Sequence, residues 1–162
     1  MITDEKTVVV NLGEVFVTKD PGTVLSCVGL GSCVAVCAYD PYAKIGGMAH
    51  VVLPNSNGNH VPSPKFADIA VPLLLDKMQE KGAYRIRLVI KIAGGARMGL
   101  LNNQMANSIG EKNADAIKNI LAAKGIRLAA SDVGGNRGRS VRLHLSTGKV
   151  FVKTIGSEGH EL

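Results

Sequence analysis

The sequence contains no tryptophan and only three tyrosines and three phenylalanines among its 162 residues. So few aromatic rings leave little from which to build a platform for stacking nucleic-acid bases. The formal net charge of +6 would suit an acidic partner, but the lysines and arginines are scattered along the chain. We interpret them as a solvated basic surface and predict no nucleic-acid partner.

Long apolar runs are also missing, because glycine, proline or charged residues interrupt each one. Residues 1–6 lack the basic start and apolar stretch of a secretory signal. The three cysteines form an odd set, which fits a reducing compartment better than a disulfide framework. We therefore predict a cytoplasmic protein with no segment inserted into a membrane.

The short apolar runs predict more strands than helices. Strands are expected at residues 8–10 and 14–18, as an opening pair, and at 23–28, 34–39, 45–53, 87–93, 126–130, 140–145 and 150–155. One helix is expected to begin at Ser63-Pro64, with Pro72 inside its pattern, and a second at a capping box over residues 108–111. We predict an α/β fold: a single-domain layered sandwich over residues 1–162, with mixed or antiparallel sheets and two main helices.

The segment GLGSCVAVC at residues 29–37 places Cys33 between a glycine-rich turn and an apolar strand. Such a turn can direct backbone N–H groups at a developing oxyanion. His50 lies on the next apolar run, one strand away, where an imidazole could take the proton of the thiol. From spacing alone, two interpretations stay open: a nucleophile and its base, or a packed thiol and a core histidine. Cys37, inside the apolar strand, is predicted to be buried and unreactive.

The other histidines are less suited to act as a base. His60 falls in a polar loop, His144 in a late hairpin and His160 near the end of the chain. A metal site formed by Cys27, Cys33, Cys37 and His50 is not expected, since residues 33 and 37 of one extended strand would lie roughly 13 Å apart. We predict neither a metal nor a cofactor.

Two further glycine-rich segments, residues 94–96 and 134–139, lack the spacing of phosphate-binding loops. We interpret both as sharp turns, and Arg137 and Arg139 as solvated side chains within the second.

Several separated segments carry a resemblance to one known family: residues 29–37, 40–41, 47–50, 53–54, 65–68, 91–96, 109–110 with Asn113, 125–126, 132–139 and 147–148. They resemble the CheD family of chemoreceptor glutamine deamidases, over nearly the whole chain and in the family's order. The resemblance implies a layered α/β sandwich similar to the catalytic domain of a deamidating bacterial toxin.

The resemblance also implies an activity, which is the hydrolysis of selected glutamine amides in membrane chemoreceptors to glutamate and ammonia, without a cofactor. It assigns the nucleophile to Cys33 and the general base to His50. Members of the family usually carry a threonine six residues before the nucleophile as the third catalytic residue, and here that position is Cys27.

Two partners follow from the same resemblance: the cytoplasmic domains of chemoreceptors, which would recruit the protein to membrane receptor arrays, and the CheC-type phosphatase that acts on phosphorylated CheY. Two other functions stay open. The chain could be mainly a non-catalytic interaction module that stimulates the phosphatase, or a generic cysteine amidase.

Overall fold

The computed structural model describes residues 5–58, 62–98 and 104–162, except the side chains of residues 104–108. The strands in this part of the chain are β1 (Lys6–Val9), β2 (Val15–Thr18), β3 (Thr23–Leu30), β4 (Val34–Asp40), β5 (Ile45–Val51), β6 (Val89–Gly94), β7 (Leu128–Val133), β8 (Arg139–His144), β9 (Val150–Thr154) and β10 (His160–Glu161). In the same part of the chain the α-helices are α1 (Ala67–Glu80) and α2 (Gln104–Ala123), and a 3₁₀ turn at Arg85–Arg87 precedes β6.

Among the residues that the structure describes, the strands form two five-stranded sheets. The first sheet has the order β1-β3-β8-β9-β10, and the second has the order β2-β5-β4-β6-β7. Each sheet contains one parallel pair, β1 with β3 and β6 with β7, while its other pairs are antiparallel. Both helices pack on the second sheet. The predicted α/β fold, with mixed sheets and two main helices, is confirmed.

Strand β4 lies in the middle layer of the fold, between two hydrophobic cores. Its side chains alternate between the two faces of the second sheet, as the period of two in a strand requires. Val34, Val36 and Ala38 pack towards the helices, whereas Ala35, Cys37 and Tyr39 pack towards the first sheet. All seven residues of β4 are buried, because this strand is covered on both faces.

The predicted opening strand pair is wrong. Strand β1 pairs with β3 in the first sheet, and β2 pairs with β5 in the second. The reason lies in the side chains, since Val8 of β1 packs between the sheets while Val15 and Val17 of β2 pack towards the helices. The predicted end of the third strand at residue 28 is also wrong, because β3 continues to Leu30 through a register shift after Cys27.

Both helices begin at other residues than predicted. Helix α1 starts at Ala67 rather than at Ser63-Pro64, since a bridge between Leu53 and Phe66 keeps the chain extended up to that point. Helix α2 is already formed at Gln104, so Ser108 lies within it; the side chain of Ser108 falls outside the described residues. Within the described residues, neither helix is long and apolar enough to cross a membrane.

Candidate functional site

The structure places Cys33 and His50 on one face of the second sheet. Strands β4 and β5 are antiparallel neighbours, with Ala35 directly opposite His50. Cys33 is two residues before Ala35 and packs with it against the first sheet. Cys33 directly precedes β4, and the alternation of side chains along a strand makes it a diagonal cross-strand neighbour of His50, a relationship that separates Cα atoms by about 7–8 Å. Among the described residues, no hydrogen bond joins the Cys33 thiol to the ring of His50.

The three cysteines differ in how accessible they are. Cys33 is half-buried, whereas Cys27 and Cys37 are buried. Burial raises the pKa of the Cys33 thiol above its ordinary value, and it raises the pKa of Cys37 to about 12. Burial also raises the pKa of Cys27. Cys33 is thus the accessible thiol of the three, and it needs a base to become a thiolate at neutral pH.

The ring of His50 is held by the backbone of the first sheet. Its Nδ1 atom lies 2.9 Å from the carbonyl oxygen of Val10. Because a carbonyl can only accept, Nδ1 carries the proton of the neutral ring and Nε2 keeps its lone pair. The Nε2 atom is buried and has no hydrogen-bond partner among the described residues. This tautomer leaves Nε2 able to accept a proton.

Cys27 lies beside the same carbonyl. Its Sγ atom is 3.5 Å from the Val10 oxygen and 3.4 Å from Sδ of Met48. Within the described part of the chain, Cys27 makes no hydrogen bond to His50 itself. Cys27 therefore adjoins the acceptor that orients the ring, and its role as third catalytic residue stays a prediction.

The turn before β4 has all of its carbonyls engaged. The Gly31 and Cys33 oxygens accept hydrogen bonds of 2.8 Å from the backbone N–H groups of Ala96 and Gly95. The Ser32 oxygen accepts one of 2.9 Å from Nδ2 of Asn113. Among the described residues, the N–H groups of Ser32 and Cys33 donate to no backbone carbonyl. In a trans peptide the N–H points away from the C=O, so these N–H groups face away from the donors.

Close backbone approach explains the glycines around this turn. Gly94 has a φ of 122°, and a Cβ atom there would come within 2.3 Å of the Cys33 oxygen. Gly110 of α2 is equally constrained, because its Cβ would lie 2.5 Å from the Ala96 oxygen. A larger residue at Gly94 would push the turn away from β6, and one at Gly110 would push residues 95–96, whose N–H groups bind the turn, away from the helix. Gly94 and Gly110 thus allow the close packing that holds the turn before Cys33 in place.

Arg139 is not solvated, and that prediction is wrong. Its side chain is only 5% exposed and donates to the carbonyl oxygens of Gly94 at 2.7 Å and Asp132 at 2.6 Å. It also donates to the Gly134 oxygen. The reason is that the backbone carbonyls at the ends of β6 and β7 and in the loop after β7 converge on one point, where a guanidinium can donate to several of them at once.

Sequence reasoning attached no role to Asn113, which is fully buried. The available signal was a polar residue four positions before Ile117, on the apolar stripe of α2. Of the other histidines, His144 lies against Glu5 and His160 against Asp132, while His60 falls outside the described residues. Among the described residues, no three His, Cys, Asp or Glu side chains are grouped as metal ligands would be.

Comparison with known proteins gives one consistent family. Residues 52–154 match the family described as CheD chemotactic sensory transduction. The chain is 44% identical, over 99% of its length and 100% of the relative's, to the probable chemoreceptor glutamine deamidase CheD of Symbiobacterium thermophilum. It is 47% identical to the chemoreceptor glutamine deamidase CheD of Thermotoga maritima, over 91% of this chain and 92% of that one. A solved structure, the Bacillus licheniformis hypothetical protein YfiH, aligns with a TM-score of 0.49 and 14% identity over 81% of this chain and 60% of that one.

Proposed function

The chain belongs to the CheD family, and we propose that it is a chemoreceptor glutamine deamidase in which Cys33 is the nucleophile and His50 the general base. The observation that carries this proposal is the Nε2 atom of His50. This atom is buried, and it keeps its lone pair because Nδ1 donates to the carbonyl oxygen of Val10. His50 is also the cross-strand neighbour of Cys33, the accessible thiol. Nucleophile, base and orienting group thus occur in the order that acyl transfer requires.

In the first step, Nε2 of His50 accepts the thiol proton as the sulfur attacks the glutamine amide carbon. A C–S bond forms, and the π electrons of the C=O bond move to oxygen. The N–H groups of Ser32 and Cys33 are the donors available to hold this oxyanion. The raised pKa of Cys33 makes this proton transfer necessary, because the resting thiol is neutral.

In the second step, the C–N bond breaks and the oxyanion returns to a carbonyl. His50, now protonated on both nitrogens, gives the Nε2 proton to the departing nitrogen, which leaves as ammonia. A thioester joins Cys33 to the former glutamine. Water then attacks the thioester while His50 accepts its proton, and the proton returns to sulfur as glutamate is released.

Exposed apolar side chains lie next to this pair on two separate segments. Leu12 precedes Gly13, whose N–H donates to the His50 carbonyl oxygen, and Met98 lies over Gly31. Both side chains are more than half exposed. We propose that chemoreceptor cytoplasmic domains and a CheC-type phosphatase bind to this rim in competition with each other.

The proposal is tested by incubating the protein with folded receptor cytoplasmic fragments and measuring ammonia release. Free glutamine and an unstructured glutamine peptide serve as controls. We expect ammonia from the receptor fragments alone, and less of it as the phosphatase is added. Equal rates on all three substrates would instead identify a generic amidase. Phosphatase stimulation without any ammonia would identify a non-catalytic interaction module.

A further inference from the structure

Asn113 donates two hydrogen bonds from one amide nitrogen, at a point where two strands of the site meet. Its Nδ2 atom lies 2.9 Å from the carbonyl oxygens of both Ser32 and Val52. Ser32 directly precedes Cys33, and Val52 is two residues after His50. One planar NH₂ group therefore links the turn that carries Cys33 to the end of the strand that carries His50.

Stability of the core does not account for an asparagine here. The side chain is fully buried, and its Oδ1 atom has no hydrogen-bond partner among the described residues. Burying an unpaired amide oxygen is unfavourable, and an apolar side chain on this stripe of α2 would avoid that cost. What the asparagine supplies is the pair of donors.

The Ser32–Cys33 peptide depends on this side chain more than its neighbours do. The Gly31 and Cys33 carbonyls accept from the backbone N–H groups of Ala96 and Gly95, so neither hydrogen bond is donated by a side chain. The Ser32 carbonyl accepts from Asn113 instead. Because the peptide is planar, the direction of this C=O also fixes the direction of the Cys33 N–H.

We propose that Asn113 is a positioning residue that fixes the Ser32–Cys33 peptide and thereby directs the Cys33 N–H at the oxyanion. The inference rests on the proposed function. Without the Asn113 donors the Ser32 carbonyl is free to turn, and the N–H on the other side of the peptide turns with it. Losing these donors therefore weakens the stabilisation of the transition state, in which the oxyanion exists, and leaves substrate binding unchanged.

Two variants, Asn113→Ala and Asn113→Leu, test this. The leucine keeps the size of the side chain but has no group to donate, and it leaves no cavity on the apolar stripe of α2, which guards against failure of the alanine variant to fold. For both we expect kcat on receptor fragments to fall about 10–100-fold, with KM within about threefold of wild type. Alkylation of Cys33 by iodoacetamide needs a thiolate but no oxyanion donor, so its rate should stay within about threefold of wild type.

Ile117→Ala is the matched control, because Ile117 is a fully buried residue one turn further along α2. This variant should lose at least as much thermal stability as the Asn113 variants do, while its kcat stays within about threefold of wild type. Three results would overturn the inference: unchanged kcat in the Asn113 variants, an equal kcat loss in Ile117→Ala, or a parallel loss of alkylation. An inactive wild-type protein would instead refute the proposed function on which the inference rests.

Discussion

The Nδ1 atom of His50 lies 2.9 Å from the carbonyl oxygen of Val10, forty residues earlier in the chain. Val10 follows β1, and its own N–H donates to the Ser26 oxygen of β3 at 2.8 Å. The first sheet thus fixes the acceptor, while the second sheet supplies the histidine. The tautomer of His50 is set by the backbone of the opposing sheet, so its orientation does not depend on any one side chain.

Replacing His50 should remove activity without unfolding the protein. We expect His50→Ala to lower kcat by about 10²–10⁴-fold, since the resting Cys33 thiol then has no base. The free energy of unfolding should fall by only about 1–3 kcal/mol, because the Val10 carbonyl loses the hydrogen bond from Nδ1 and keeps only the weaker one from the Cys27 thiol. Steady-state kinetics and thermal melts on the same samples check both expectations. A melting temperature below that of the assay would point to a core histidine instead.

Cys33 should be the first cysteine alkylated, and its rate should depend steeply on pH. Burial raises the pKa of this thiol, so only a small thiolate fraction exists near neutrality. Below the pKa this fraction grows about tenfold for each pH unit. Iodoacetamide labelling followed by peptide mapping measures the rate for each cysteine. A rate that stays flat from neutral to alkaline pH would show a preformed thiolate, and faster labelling of Cys37 would contradict the assignment.

Cys27 should be replaceable. We expect Cys27→Thr to keep or raise kcat, because a hydroxyl is a better hydrogen-bond donor to the Val10 carbonyl than a thiol is. Cys27→Ala should cost less than about tenfold, since Val10 still holds His50. Kinetics with and without reductant test this. If wild type needs reductant and the alanine variant does not, Cys27 is part of a redox switch and not an orienting group.

Asp40 links the end of β4 to Arg87 and should make stability depend on acid pH. Burial alone would raise the pKa of Asp40, but hydrogen bonds from Arg87 and from the N–H groups of Ala43, Tyr84 and Tyr42 bring it down to about 2. A lowered carboxyl pKa stabilises the fold above the ordinary pKa, and this stabilisation is lost as pH falls towards about 2.

Asp40→Asn should therefore destabilise the protein by about 2 kcal/mol at neutral pH, because it leaves the guanidinium with a weaker partner. The difference from wild type should shrink as the pH is lowered from about 5 to about 2. Denaturant melts across this range measure it. A difference that stays constant with pH would show that the ion pair contributes nothing.

The sequence predicted the parts of this fold that depend on local pattern. The runs around β4 and β5 and the hairpin of β8 with β9 appear where apolar alternation and turn residues indicate them. The sequence could not predict which strands β1 and β2 pair with, because that depends on which of the two hydrophobic cores the valines of each strand enter. The starts of the helices also depended on distant contacts, such as the bridge between Leu53 and Phe66.

Within the site, spacing indicated Cys33 and His50 but not the groups that hold them. The role of the Val10 carbonyl as acceptor for His50 could not be predicted from the sequence, since every residue has a backbone carbonyl. Arg139 was misinterpreted because glycine-rich neighbours usually mark a solvated turn, whereas here the turn folds over the guanidinium. Asn113 stood out only as a polar residue on an apolar helix face, and its partners lie on two other elements.

The most direct test of the central claim is to map a receptor cytoplasmic fragment by mass spectrometry after incubation with wild type and with Cys33→Ala. Conversion of glutamine to glutamate adds about one mass unit, and reaction in ¹⁸O-labelled water adds a further two or so, because the new oxygen comes from solvent. We expect wild type to convert a small set of glutamines with ¹⁸O incorporation. Cys33→Ala should show at least about a thousandfold lower rate. Conversion by Cys33→Ala at a rate near that of wild type would contradict the account.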